Sequence, residues 1–183
     1  FGACPVCDGL GTKSYFDPDL IVPNHQLSLK SGAISPWAFS SSRYYLQTLE
    51  SLCRHYHVSI DTPFGELTKS FQNILINGSG GEHVKMVYDD GLRQYTTNKP
   101  FEGVLPNLQR RYQETDSNRI KEELGKYQTI SNCTECKGDR LKPAALAVKI
   151  SGKTISQVTE MSIAKTVVWF EGLPEQLTQK QID

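Results

Sequence analysis

Apolar positions recur along this chain at two different spacings, and the change of spacing marks its elements. Tyr45, Leu46, Leu49, Leu52, Cys53 and Tyr56 follow a helical period, so one face of a helix is apolar. Ser40, Ser41 and Ser42 stand before it as candidate caps. Asp61-Thr62-Pro63 is expected to stop that helix and open a short second one, with Thr62 as its cap, Pro63 at its first position, and Leu67 and Phe71 inward. From Val84 the period becomes two. Val84, Met86 and Tyr88 alternate with polar neighbours, Asp89-Asp90-Gly91 turns, and Leu92 to Thr97 returns as the second strand of a hairpin.

Helical spacing resumes at Val104, with Leu105, Leu108 and Tyr112 on one side. Asp116 or Ser117 caps a further helix from Asn118 to about Tyr127, with Ile120 and Leu124 inward. Ala145 to Ile150 reads as a strand, Ser151-Gly152 as a turn, and Thr154 to Val158 as a continuation. Ser162 caps a last helix bearing Ile163, Val167, Val168 and Phe170, closed by Gly172-Leu173-Pro174. The first residues run through Thr12 to Phe16 into an extended stretch with Pro18 and Pro23, and Ser31 to Trp37 is rich in breakers. The class expected is α+β: a mainly helical region carrying one β-hairpin.

Composition narrows the functional classes. The 183 residues carry 20 basic and 20 acidic side chains, for a formal net charge of zero. That excludes a strongly basic nucleic-acid domain but not a local basic patch. No apolar run has the length of a membrane span, and no membrane association is expected. Asn77-Gly78-Ser79-Gly80-Gly81 is glycine-rich, yet no Gly-Lys-Ser/Thr follows, so it reads as a plain loop rather than a phosphate cradle. The chain opens on Phe1 and stops within an apparent helix after Thr178, and is read as a piece of a longer protein.

The chemistry lies in the cysteines. Cys4-Pro5-Val6-Cys7-Asp8-Gly9 and Cys133-Thr134-Glu135-Cys136-Lys137-Gly138 are matching CxxCxG knuckles. Together Cys4, Cys7, Cys133 and Cys136 supply the four thiolates of a closed, structural zinc site. The glycine after each knuckle permits a positive φ, with which the chain folds back beneath the ion. Disulfides would need an oxidising compartment, and no signal peptide is visible. A redox pair would need one knuckle rather than two. Four thiolates on a divalent ion leave a formal charge near −2, which Lys13, Lys137 and Arg140 are placed to offset. Cys53 lies on the apolar helix face and is expected to be a buried free thiol.

Phe1 to Gly11, Phe101-Glu102-Gly103-Val104-Leu105, Arg110-Arg111-Tyr112, and Cys133 to Arg140 with Leu141 resemble, in that order, a zinc module of the UvrA family. These are the cytoplasmic damage-recognition ATPases of bacterial nucleotide excision repair. The resemblance runs over nearly the whole chain. It implies a zinc-clamped stem, residues 1–36 with 128–183, part of the first zinc-bearing signature domain, carrying an inserted helical domain at 37–127. It implies a structural Zn2+ and damaged duplex DNA held without sequence preference. It also implies a parent that dimerises and binds UvrB through a region outside this chain. The ATP-binding parts have no counterpart here, so ATP is expected to be bound by the parent and not by this piece, which is expected to catalyse nothing itself.

Candidate DNA contacts are Lys85 and Arg93 on the hairpin and Arg110 and Arg111 on a helix, all meeting phosphates. Basic and acidic residues balance between Glu82 and Lys126, and Arg111 has Glu102 and Glu114 as alternative partners. Tyr95 and Phe101 are either base-stacking or core aromatics. Two other functions compete. One is a protein-interaction module on a zinc scaffold, as in chaperone cysteine-rich domains. The other, a zinc hydrolase, has little support, because His25, His55, His57 and His83 form no ligand motif and two helical positions such as 55 and 57 share no face.

Overall fold

In the computed structural model, which describes residues 2–38 and 42–178, the chain divides into two compact units. A knuckle unit combines residues 1–14 with 130–183, and a hairpin unit spans 15–129. The sequence reading put the joints at 36/37 and 127/128. The difference lies in residues 15–36, where Phe16, Ile21, Val22, Leu29 and Ile34 are buried with the apolar core of the hairpin unit. Strand β1 (Thr12–Phe16) pairs with a late strand, Gln128–Asn132, and the division falls within these two strands.

In the hairpin unit, Asp17 caps a single turn, α1 (Pro18–Ile21), and α2 (Ser35–Ala38) carries Trp37 into the core. Helix α3 (Tyr44–His55) buries Leu49, Leu52 and Cys53, as its spacing predicts. Ser42 Oγ accepts the amide of Tyr44, and the other two candidate caps, Ser40 and Ser41, lie outside the described residues. His57 follows the helix with a positive φ of 55°. Thr62 does not start the next helix. A short 3-10 turn at Phe64–Glu66 intervenes, and α4 (Lys69–Asn77) is capped by Thr68, whose side chain accepts the amide of Phe71. Buried Gln72 donates to the Leu67 carbonyl and to the Phe64 carbonyl, which also accepts the Leu67 amide.

Strands β2 (His83–Asp89) and β3 (Gln94–Pro100) form the antiparallel hairpin. Val84, Met86 and Tyr88 are buried, as their alternation requires. The turn lies later than expected. Asp89 pairs with Gln94, so Asp90 to Arg93 make the turn and the return strand runs to Pro100. The Asp90 carboxylate sets it by accepting the amides of Leu92 and Arg93. The free edge of β2 is covered by side chains of α3. Ser51 Oγ accepts the Val87 amide, and the Gln47 amide group both donates to and accepts from Asp89. That leaves fewer open backbone groups for another strand to pair with.

Helix α5 (Val104–Glu114) buries Val104 and Leu108, and α6 (Asn118–Gly125), capped by Ser117, buries Leu124 but leaves Ile120 exposed. Gly78 and Gly103, both at positive φ, bring the end of α4 against the start of α5. A Cβ on Gly103 would lie 2.4 Å from the Gly78 nitrogen.

The knuckle unit continues through β4 (Gln128–Asn132) to α7 (Pro143–Leu146), α8 (Ile155–Thr159) and α9 (Ile163–Glu171). The strands expected at Ala145–Ile150 and Thr154–Val158 are absent. Pro143 opens a helical turn over the first segment. In the second, Thr154 and Gln157 form a reciprocal capping box that starts a helix. Only a bridge between Ile150 and Lys153 survives of the sheet. Ser162 caps α9 as expected.

Gly103→Ala should destabilise the chain by about 2 kcal/mol or more, because both the backbone angle and the Gly78 contact oppose a side chain. Gly125→Ala, with open space around it, should be neutral or stabilising by up to about 1 kcal/mol. Urea unfolding of the two variants measures both.

Candidate metal centre and nucleic-acid interface

The two knuckles are built alike down to their backbone angles. After the second cysteine of each come two residues at positive φ, Asp8 and Gly9 in one and Lys137 and Gly138 in the other. Four residues after that cysteine comes a third, Gly11 and Arg140 respectively. The knuckles then exchange hydrogen bonds: the Cys4 amide donates to the Arg140 carbonyl at 2.8 Å, and the Cys133 amide to the Gly11 carbonyl at 2.9 Å. The result is a local pseudo-twofold pair. Gly11 has no freedom here, since its Cβ would lie 2.9 Å from both Arg140 Cγ and the Gly138 carbonyl.

This pairing brings all four sulfurs together. They lie within 4.8 Å of one another and all four cysteines are buried. Cys4 and Cys133 Sγ are 3.9 Å apart, and Cys7 and Cys136 Sγ 3.6 Å. A disulfide would hold sulfurs about 2.05 Å apart. A tetrahedral ion with arms of about 2.3 Å spaces its thiolates about 3.8 Å apart, which the observed separations bracket. The cluster therefore fits one four-coordinate metal ion, with no position open for water.

Backbone amides meet much of the charge such a site carries. The Gly11 amide donates to Cys7 Sγ at 3.2 Å. Burial pushes the Cys7 thiol up, but the Gly11 amide, the Cys136 and Cys4 sulfurs and the Gly9 amide outweigh it and bring Cys7 down to about 7. Burial pushes Cys136 up to about 11, against the Gly138 and Arg140 amides. Lys13, Lys137 and Arg140 are exposed, and among the described residues they make no ion pair. Cys53 stands apart from the cluster, buried, with its thiol pushed up to about 11 by burial and then by Glu50.

The four expected DNA contacts do not share one setting. Lys85 is exposed opposite Asn98, on the face of the hairpin away from Val84, Met86 and Tyr88. Arg93 is exposed in the turn. Neither makes an ion pair among the described residues. Arg111 is half-buried on α5. Arg110, rather than Arg111, takes the carboxylate partners: it is bidentate on Glu102, at 2.7 and 3.1 Å, and reaches Glu114 at 2.9 Å. Two carboxylates offset the charge of this guanidinium locally and compete with a phosphate for it. Lys99, which sequence reasoning passed over, lies on the opposite face of the hairpin from Lys85 and acts on Glu102. Its signal was strand register, which becomes legible only once the turn is correctly placed. Phe101 is buried, whereas Tyr95 stays half exposed while stacking on Tyr88.

Residues 17–126 match the family model described as the UvrA DNA-binding domain. The chain belongs to that family. The matched UvrA segment nearly coincides with the hairpin unit, 15–129. UvrABC system protein A of Mesorhizobium japonicum is 51% identical over 99% of this chain, and that of Rickettsia bellii 44% identical over all of it. The chain spans 19% of the length of each of these relatives. UvrA2 of Deinococcus radiodurans has the same fold, with a TM-score of 0.69 at 21% identity over 93% of this chain and 22% of its own.

Two outcomes are expected. Cys133→Ser should abolish binding of one metal equivalent per chain and lower the melting temperature, since the ion ties segments far apart in sequence; elemental analysis and thermal unfolding read both. The Glu102 carboxyl is held below its ordinary 4.5, chiefly by its hydrogen bond from Arg110 and against partial burial. A depressed carboxyl stabilises the fold above its unfolded value, and that contribution is lost as pH falls through the lower folded value. The melting difference between the wild type and Glu102→Gln should therefore be full at neutral pH and shrink below pH 4.5.

Proposed function

We propose that this chain is a DNA-holding, non-catalytic part of a nucleotide excision repair ATPase, with a structural zinc ion in its four-cysteine cluster. The observation that carries the reading is the agreement between the segment matching the UvrA DNA-binding domain and one compact unit of the fold. Cys4, Cys7, Cys133 and Cys136 would hold the zinc, and four thiolates leave it no catalytic position. Lys85, Arg93 and Arg111 meet phosphates, while Arg110 positions Glu102 and the start of α5. Contacts of this kind carry no sequence information, which suits a protein that finds damage in any sequence. ATP turnover, dimerisation and UvrB binding belong to the longer parent protein, acting in the cytoplasm.

A second reading, a protein-interaction module on a zinc scaffold, is favoured by one observation. Helix α9 buries none of its residues, and Ile163, Val167 and Phe170, which share one face of it, are 85%, 47% and 56% exposed. An apolar face of that kind suits a protein surface better than a phosphate backbone.

Titration of the chain with undamaged duplexes of unrelated sequence at several salt concentrations tests the first reading. Affinities are expected in the non-specific range, about 10⁻⁴ to 10⁻⁶ M, equal between sequences. Lys85→Ala and Arg93→Ala should each flatten the salt slope by about one unit. Arg110→Ala should instead lower the melting temperature and leave the slope unchanged. Absence of duplex binding by folded protein overturns the reading in favour of the second. ATP hydrolysis is expected to be absent, and turnover abolished by mutating a residue of this chain would contradict the assignment.

A further inference from the structure

A cleft of about 310 Å³ opens in the hairpin unit between α3, the end of β3 and the start of α5. Its size is at the lower end of small-molecule sites, about 300–1,000 Å³. Trp37, Tyr44 and Tyr45 form one wall, and Lys99, Asn107 and Arg110 stand among the other residues. The rings are fixed before any ligand arrives. Tyr45 stacks on Trp37 at 4.7 Å, and Tyr44 lies on Tyr88 at 4.7 Å with planes only 5° apart. Tyr88 in turn stacks on Tyr95, so a three-ring column runs through the hairpin with only its middle ring buried. Tyr44 is 40% exposed despite this fixed position. A ring already immobilised loses little freedom when another planar group stacks against it.

The polar groups point to the same class of ligand. The ionised groups lining the cleft are Lys99, Arg110 and Glu102, two cations and one carboxylate. Arg110 is committed to Glu102 and Glu114, whereas Lys99 makes no ion pair among the described residues. Asn107 Nδ2 donates to Glu102, which fixes its amide and leaves Oδ1 buried without a partner. Trp37 Nε1 is likewise buried and unpartnered. Solvent reaches neither atom, so the unpaired polar group the cleft offers a ligand is the Lys99 ammonium, which suits a phosphate.

We propose that this cleft takes in one unstacked nucleobase of bound DNA, with the Tyr44 ring as the stacking surface, Tyr45 standing at 77° to it as a side wall, and Lys99 against the adjoining phosphate. The proposal rests on the DNA-holding reading and adds to it a preference for duplexes in which a base has already left the stack. Such a base costs least to extrude, so the cleft discriminates disrupted from intact DNA without reading sequence.

The probe is a duplex with 2-aminopurine in a single-nucleotide bulge, set against the same duplex fully paired. The 183-residue chain should bind the bulged duplex more tightly and change its fluorescence only in the bulge. Tyr44→Ala and Lys99→Ala should each lower affinity for the bulged duplex, the tyrosine change by about tenfold, and leave paired-duplex affinity as it was. Tyr44→Phe should restore the preference. Should Tyr44→Ala fold poorly, Lys99→Ala still decides. Equal affinity for bulged and paired duplexes, untouched by these variants, overturns the cleft while duplex holding stands. Binding to neither duplex overturns both. Free dAMP binding as tightly as the bulged duplex assigns the cleft to mononucleotides and overturns the proposal.

Discussion

The reciprocal pairing of the two cysteine knuckles is the constraint on which the knuckle unit depends. Two amide-to-carbonyl bonds, Cys4 to Arg140 and Cys133 to Gly11, join segments separated by most of the sequence. Closing so long a loop is unfavourable, though the cost grows only slowly with its length. Two hydrogen bonds of about 1 kcal/mol each are too weak to do it alone. A metal ion bound by four thiolates supplies far more, and its binding free energy is then folding free energy. Positive φ at Lys137 and Arg140, costly for residues with side chains, is tolerated because the pairing dictates it.

The hairpin unit depends on a different economy of polar groups. A two-stranded hairpin has two open edges and is marginal in isolation. Here α3 acts as a third strand would, with Ser51 and Gln47 bonding the backbone of β2. Gln72 does the same for the 3-10 turn. These polar residues on otherwise apolar helix faces keep the hairpin fixed with one face packed into the core and the other in solvent. One face carries Lys85 to solvent, and the other contributes Met86 and Lys99 to the aromatic cleft.

What the chain discloses before folding follows from how local each signal is. The four-cysteine cluster is legible because two knuckles repeat one Cys and Gly spacing, a signal that needs no tertiary context. The alternation of Val84, Met86 and Tyr88 and the caps Ser117 and Ser162 were legible for the same reason. Thr154 reads as strand because Ile155 and Val158 suit a strand as well as a helix, and the deciding capping-box signal, Gln157 three residues after Thr154, is outweighed by composition. Residues 15–36 have no periodic signature at all. Their apolar side chains belong to the hairpin unit only through contacts across the fold. The exchange of roles between Arg110 and Arg111 is of this kind too, since one residue of helical phase decides which guanidinium meets Glu102 and Glu114.

Net neutrality and a DNA-binding assignment conflict only if charge is treated as a sum. Glu102 and Glu114 balance the adjacent Arg110 and Arg111, and Asp89 and Asp90 lie beside Arg93 at the turn. Both arrangements keep the unit's field weak beyond a Debye length, about 8 Å at physiological salt. Lys85 and Lys99 differ, because no carboxylate is paired with either at close range among the described residues. A surface of this kind draws little DNA from a distance and acts only on contact. Under the cleft proposal, such a surface would hold intact duplex loosely, and a disrupted site would gain the stacking and phosphate contacts that intact DNA cannot offer.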